Sequence, residues 1–128
     1  MVFGVFDGLH EGHKYFLREA AKRCDGLIVV VAVDSIVSAL KKRFPKNKLD
    51  ARMHGIRAEN PALTVVPGDE TEGEWRVLEE YRPDRIFLGY DQTTLSEALG
   101  ASGITLMFLA PHKETIHKSS IINDATAL

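Results

Sequence analysis

The chain has 128 residues, 45% apolar and 27% charged, with a formal net charge of −2; that is the size and composition of one ordinary globular domain with a core of its own. The charge balance lacks the basic excess of a nucleic-acid surface, and the longest apolar run, residues 27–33, is far too short to span a bilayer, so neither nucleic acid nor membrane is expected as a partner. The one cysteine, Cys24, excludes an internal disulfide and a paired-cysteine metal site and suits a reducing, cytoplasmic setting, while the opening Met1-Val2-Phe3-Gly4-Val5-Phe6 lacks the basic start of a signal peptide.

In chain order, residues 2–6 read as a first strand. Residues 12–22 follow as a helix, because Phe16, Leu17, Ala20, Ala21 and Cys24 recur at three- and four-residue spacing; Cys24 is thereby expected to pack. Residues 27–33 are all apolar and mostly β-branched, the pattern of a strand buried on both faces. A short helix is expected after Asp34, then a basic, proline-containing loop over 41–48. Asp50 is placed to cap a helix running to about Ala58. Residues 63–66 make a third strand, and 72–81 a helix stopped by Pro83. Residues 85–88 are a fourth strand, 94–99 a helix closed by Gly100, and 104–109 a fifth strand; the tail from Lys118 is expected to be helical. Strands alternating with helices predict a single α/β domain, a five-stranded parallel sheet with helices on both faces. In such a sheet the ligand sits outside the carboxyl ends of the strands, where strand order reverses. The chemistry is therefore expected in the loops after Phe6, Leu88 and Leu109.

The first of these loops carries His10-Glu11-Gly12-His13. A helix start offers unpaired N–H groups and partial positive charge, a natural anion site. Imidazoles beside it can donate to phosphoryl oxygens, and Gly12 lets backbone and phosphate approach. The plain alternative is two loop histidines without a role. A zinc site would need a third ligand, and His54, His112 and His117 lack ligand spacing.

With Gly4, Phe6 and Asp7 before it, this segment resembles the HxGH signature of the cytidylyltransferase-like nucleotidyltransferase superfamily; Val5 stands where many relatives have threonine. The resemblance implies a Rossmann-like α/β fold and transfer of AMP or CMP to a phosphate-bearing acceptor. It implies nucleotide contact by Val5, Phe6, His10, Glu11, Gly12 and His13.

Further motifs extend it. Lys41, Lys42 and Arg43 read by themselves as a solvated basic loop; in similar enzymes lysines near this point contact phosphates, which makes Lys41 and Lys42 catalytic candidates beside His10 and His13. Arg52 resembles an arginine just downstream in relatives, and a guanidinium there can bridge phosphates bidentately, which makes it a nucleotide-binding candidate. Gly89-Tyr90-Asp91-Gln92 reads either as a strand-end turn or, through Gly89 and Asp91, as a nucleotide contact. It resembles the segment of archaeal-type FAD synthases, which convert FMN and ATP to FAD. Ser119 and Ser120, behind Lys118, read as an ordinary helix cap or as the superfamily's C-terminal phosphate-binding motif; the cysteines that archaeal FAD synthases carry near this end are missing here.

The resemblance implies in-line attack on the α-phosphate of ATP, with Mg²⁺ bridging phosphates and few protein metal ligands. Phe44, Trp75 and Tyr90 read as core or surface packing or as candidates to stack on a flavin. Relatives are often dimers, which implies a homodimer. Two alternatives stay open: a cytidylyltransferase acting on glycerol 3-phosphate or a similar ester, and a nucleotide-binding module without turnover.

Overall fold

In the computed structural model, which describes residues 1–71 and 73–110, burial on both sides of the strands decides the architecture. The elements are β1 (Val2–Gly4), α1 (Glu11–Lys22), β2 (Ile28–Val31), α2 (Asp34–Lys41), α3 (Leu49–Glu59), β3 (Thr64–Pro67), α4 (Arg76–Tyr81), β4 (Arg85–Gly89), α5 (Thr93–Leu99), a 3-10 turn (Gly100–Ser102) and β5 (Thr105–Leu109). On one face Val2, Val29, Val31, Val65, Phe87 and Leu109 pack with Leu17 and Ala20 of α1 and Met53 and Ile56 of α3. On the other, Phe3, Val30, Val66, Ile86 and Leu88 pack with Val77 of α4 and Leu95 and Leu99 of α5. Alternate residues of each strand thus feed opposite cores, which is why the strand sequences are almost wholly apolar. Cys24 packs on the first cluster, its Sγ 3.4 Å from the Ala20 carbonyl oxygen. Among the described residues no helix is long and apolar enough to cross a membrane.

The α/β, all-parallel, Rossmann-like architecture is as expected, but the single five-stranded sheet is not. The strands form a three-stranded sheet, β1-β2-β3, and a two-stranded sheet, β4-β5. The two adjoin along β1 and β4, where the Met1 nitrogen donates to the Arg85 carbonyl at 2.9 Å and the Phe87 N–H donates to the Met1 carbonyl at 3.0 Å. Further along, the side chain of Gln92 stands between the strands, donating to the Phe3 carbonyl at 3.0 Å and accepting from the Gly89 N–H at 2.8 Å. A ladder bond between Gly89 and Phe3 is therefore replaced, and the sheet divides there.

Other boundaries moved for local reasons. β1 stops at Gly4 because Phe6 turns into the left-handed region, φ 53°. Asp50 lies in the first turn of α3, whose N-cap, Lys48, makes no side-chain cap. α4 begins at Arg76, after Trp75 at φ 55°, with the Asp69 carboxylate accepting the Arg76 N–H at 2.7 Å. Gly100 keeps helical geometry and the chain reverses at Gly103, φ 79°. The helix expected from Lys118 lies outside the described residues.

Candidate active site

The turn after β1 builds the site. Phe6 folds its ring back over Gly4, where a Cβ would lie 2.7 Å from two ring atoms. Only glycine seats the ring there. A non-glycine residue in the left-handed region costs on the order of 1 kcal/mol, offset here by burial of the ring. The ring meets His13 edge-on, centroids 5.4 Å apart at 71°. Next to it, Asp7 accepts from the Lys46 N–H at 2.7 Å and from the Asn47 N–H and Nδ2 at 3.0 Å each. Partial burial opposes its charge, but these hydrogen bonds outweigh it and hold the carboxyl below its usual range. Asp7 thereby ties the histidine turn to the basic loop.

The three-residue spacing of the histidines is that of a capping box, and here the histidines form it themselves. His10 is the N-cap of α1. Its Nδ1 accepts from the Gly12 N–H at 3.0 Å and the His13 N–H at 3.3 Å, while His13 Nδ1 accepts from the His10 N–H at 3.4 Å. The expected backbone anion site is thus changed: Gly12 and His13 spend their N–H groups on His10, and Lys14 spends its own on the His10 carbonyl. With Nδ1 an acceptor on both rings, the proton of each neutral imidazole sits on Nε2. The rings stack, 3.7 Å apart at 20°, so two charges would repel. Desolvation first, then His10 and Lys41, push the His13 pKa down to about 3. The helix start therefore presents neutral imidazole donors. Glu11, the first helical residue, is exposed and faces Lys14 at 3.9 Å.

The basic loop divides. Lys41, the last residue of α2, lines a cavity of about 610 Å³ together with Phe3, Leu40, Trp75, Val77 and Leu95. Val5 and Arg43 also line it, whereas Lys42, an exposed C-cap at φ 56°, does not. Of the three candidate stacking aromatics, only Trp75 is on this wall, held edge-on to Phe3 at 5.7 Å; Phe44 is exposed, as is Tyr90.

Arg52 lies inside the protein rather than on its surface. Its side chain is fully buried, with Nε donating to the Asn47 carbonyl at 2.9 Å and Nη1 to the Val5 and Ala32 carbonyls at 3.0 and 2.8 Å. Nη2 pairs with Asp34. Each guanidinium nitrogen is engaged by protein acceptors, so Arg52 joins the ends of β1 and β2, the start of α2 and the basic loop.

Gly89 ends β4 and Asp91 follows it, and neither is on the cavity wall. A Cβ on Gly89 would lie 3.2 Å from Asp91 Oδ1, so glycine lets that carboxylate fold back. Burial raises the Asp91 carboxyl above its ordinary range. Sequence reasoning missed Asp7 and Gln92 as organisers. The available signal was a polar residue beside a strand end with no solvent-facing pattern around it. Ser119 and Ser120 lie outside the described residues, as do His112 and His117; His54 is exposed on α3. No group of three His, Cys, Asp or Glu able to hold a metal occurs among the described residues.

A family model described as cytidylyltransferase-like matches residues 1–122. The FAD synthase of Aciduliprofundum boonei is 46% identical over 92 residues, 72% of this chain and 60% of that protein. The chain therefore spans less than two-thirds of that relative. The FAD synthase of Pyrococcus abyssi is 40% identical over 108 residues, 81% of this chain and 73% of that protein. A crystal structure described as the lipopolysaccharide core biosynthesis protein from Thermoplasma volcanium superposes with a TM-score of 0.71 at 33% identity, covering 88% of this chain and 94% of that one. Pantothenate synthetase from Thermus thermophilus, with a TM-score of 0.53 at 14% identity, shares the fold.

Two predictions test this geometry. Arg52→Met leaves buried carbonyls unpaired and Asp34 without its cation, so urea unfolding should show a loss of about 3 kcal/mol or more; a loss below about 1 kcal/mol contradicts the buried hub. His13 takes up its proton in the unfolded chain near 6.5 but in the folded chain only near 3. Stability is thus full above 6.5 and falls as pH drops from 6.5 towards 3. Over that window the urea midpoint of the wild type should fall more steeply than that of His13→Gln; parallel curves contradict a neutral His13.

Proposed function

We propose that this chain, which belongs to the cytidylyltransferase-like family, transfers AMP from ATP to the phosphate of FMN, giving FAD and pyrophosphate. The observation that carries the reading is a pair of stacked, Nε2-protonated imidazoles at a helix start, electrostatically coupled to Lys41 on the wall of an apolar cavity. The relatives named FAD synthase support the choice of acceptor. So does the cavity, whose lining of Phe3, Leu40, Trp75, Val77 and Leu95 suits a broad planar ring better than a small polyol phosphate.

In this reading an FMN phosphate oxygen attacks the α-phosphorus of ATP in line. A new P–O bond forms, the bond from the α-phosphorus to the bridging oxygen of the β-phosphate breaks, and pyrophosphate leaves with that electron pair. His10 and His13 donate Nε2–H to the α-phosphoryl and bridging oxygens as charge develops there. As neutral donors they stabilise charge without surrendering a proton. Lys41 neutralises phosphate charge from the cavity side. Gly89 and Asp91 contact the nucleoside, Val5, Phe6, Glu11 and Gly12 form the floor under the phosphates, Lys42 lends its charge from the loop, and Ser119 and Ser120 hold the pyrophosphate. Catalysis is then positioning and charge stabilisation by preorganised groups. Mg²⁺ would arrive with the triphosphate and would supply neutralisation of its charge, with no group of three His, Cys, Asp or Glu among the described residues to hold it. A reducing cytoplasmic setting and a homodimer belong to the same reading.

The test is pyrophosphate release with Mg²⁺ and either ATP or CTP, against FMN, glycerol 3-phosphate, phosphocholine and phosphopantetheine. ATP and FMN together should release pyrophosphate and form FAD. Release with CTP and glycerol 3-phosphate would replace this reading by a cytidylyltransferase; nucleotide binding with no release from any pair would make the chain a binding module. In the productive assay His10→Ala and His13→Ala should each lower kcat about 100-fold to 1000-fold, and either variant at wild-type rate contradicts the assigned donors.

A further inference from the structure

The division of the sheet falls where strand order reverses. From β1 the chain moves outward through β2 and β3 on one side, and β4 and β5 occupy the other, joined to β1 through Met1. A crevice between the carboxyl ends of β1 and β4 is the place where ligands enter such sheets. After the bond from the Phe87 N–H to the Met1 carbonyl, the next rung that β4 would donate in parallel register runs from the Gly89 N–H to the Phe3 carbonyl. That rung belongs to Gln92: Oε1 accepts from Gly89 at 2.8 Å and Nε2 donates to Phe3 at 3.0 Å.

We propose that Gln92 is a positioning residue: its carboxamide takes the place of this rung, holds the ends of β1 and β4 apart, and so sets Gly89–Asp91 at the width that admits the nucleotide. A direct rung would bring the Gly89 nitrogen and Phe3 oxygen to about 2.9 Å. Two bonds in series across a carboxamide keep them well beyond that. The task demands an in-plane donor and acceptor on one neutral group, which a glutamine amide supplies. Its orientation is fixed, since Oε1 must face the N–H and Nε2 the carbonyl. The residue is 6% exposed, and among the described residues no buried side-chain nitrogen or oxygen lacks a partner, so the wedge is fully satisfied. Gly89 cooperates: a Cβ there would stand 3.6 Å from Gln92 Oε1 and 3.2 Å from Asp91 Oδ1. The turn back from Gln92 N–H to the Gly89 carbonyl, 3.0 Å, locks the segment from which Asp91 projects. At its other end Gln92 is the N-cap of α5, so the wedge couples β1, the Gly89–Asp91 turn and that helix.

The inference rests on the nucleotidyltransferase reading but is tested by binding, not turnover. The probes are α,β-methylene ATP and FMN, titrated separately into the wild type and Gln92→Met, which keeps the volume and removes both hydrogen bonds. Loss of nucleotide affinity by about tenfold or more, with FMN affinity changed less than about twofold, supports the wedge. Unchanged nucleotide affinity, or equal loss for both ligands, overturns it. A wild type that binds nucleotide but forms no FAD, with Gln92→Met impaired for nucleotide, sinks the acceptor and leaves the wedge standing. Should Gln92→Met fail to fold, side-chain amide exchange in the wild type decides: protection of the Gln92 Nε2 protons supports the inference, and exchange as fast as in a solvated glutamine overturns it.

Discussion

Three backbone N–H groups at the start of α1 fix the chemistry available to this molecule. Gly12 and His13 donate to His10 Nδ1, and His10 donates back to His13 Nδ1. The exchange does two things at once. It satisfies orphan donors of a helix start, and it fixes the proton of each ring on the nitrogen that can meet a phosphoryl oxygen. The backbone N–H groups that a helix terminus would otherwise offer are taken up by the two side chains.

Much of the surrounding structure supports that exchange. Gly4 makes room for the Phe6 ring, and the ring gives His13 an apolar flank that helps keep it neutral. Asp7 holds the loop of Lys46 and Asn47 against the histidine turn. Arg52 pins the same loop to the ends of β1 and β2. Through the Asp34 contact it also holds the first residue of α2, and Lys41 is the last residue of that helix. Two polar clamps on one loop thus relate Lys41 to His13. The cost of burying the guanidinium is met by four acceptors, the condition under which a buried charge is tolerated.

The fold class was legible because strands buried on both faces leave a strong trace, as in the apolar stretch around β2, and because Phe16, Leu17 and Ala20 sit at helical spacing. The histidine pair was legible as a motif at a strand-to-helix turn. Its capping role was not, since histidine is not among the usual capping residues. The structural role of Arg52 was not legible, because an arginine has the same appearance in sequence whether or not backbone carbonyls surround it; the strand ends that converge on it lie far away in the chain. The division of the sheet was hidden for a related reason. Gln92 makes its bonds to Phe3, far away in sequence, and a single polar residue after a strand carries no periodic signal. The separation of Lys41 from Lys42 turned on one left-handed residue at the helix end, which adjacent lysines do not announce.

The central claim is that backbone hydrogen bonds hold both imidazoles neutral with the proton on Nε2. It is tested most directly by long-range ¹H–¹⁵N correlation of the histidine side chains across a pH titration. The account predicts the Nε2–H tautomer for His10 and His13, with no protonation of His13 as pH falls through the ordinary histidine range towards 5. An Nδ1–H tautomer on either ring, or a His13 imidazolium forming near 6.5, would contradict it.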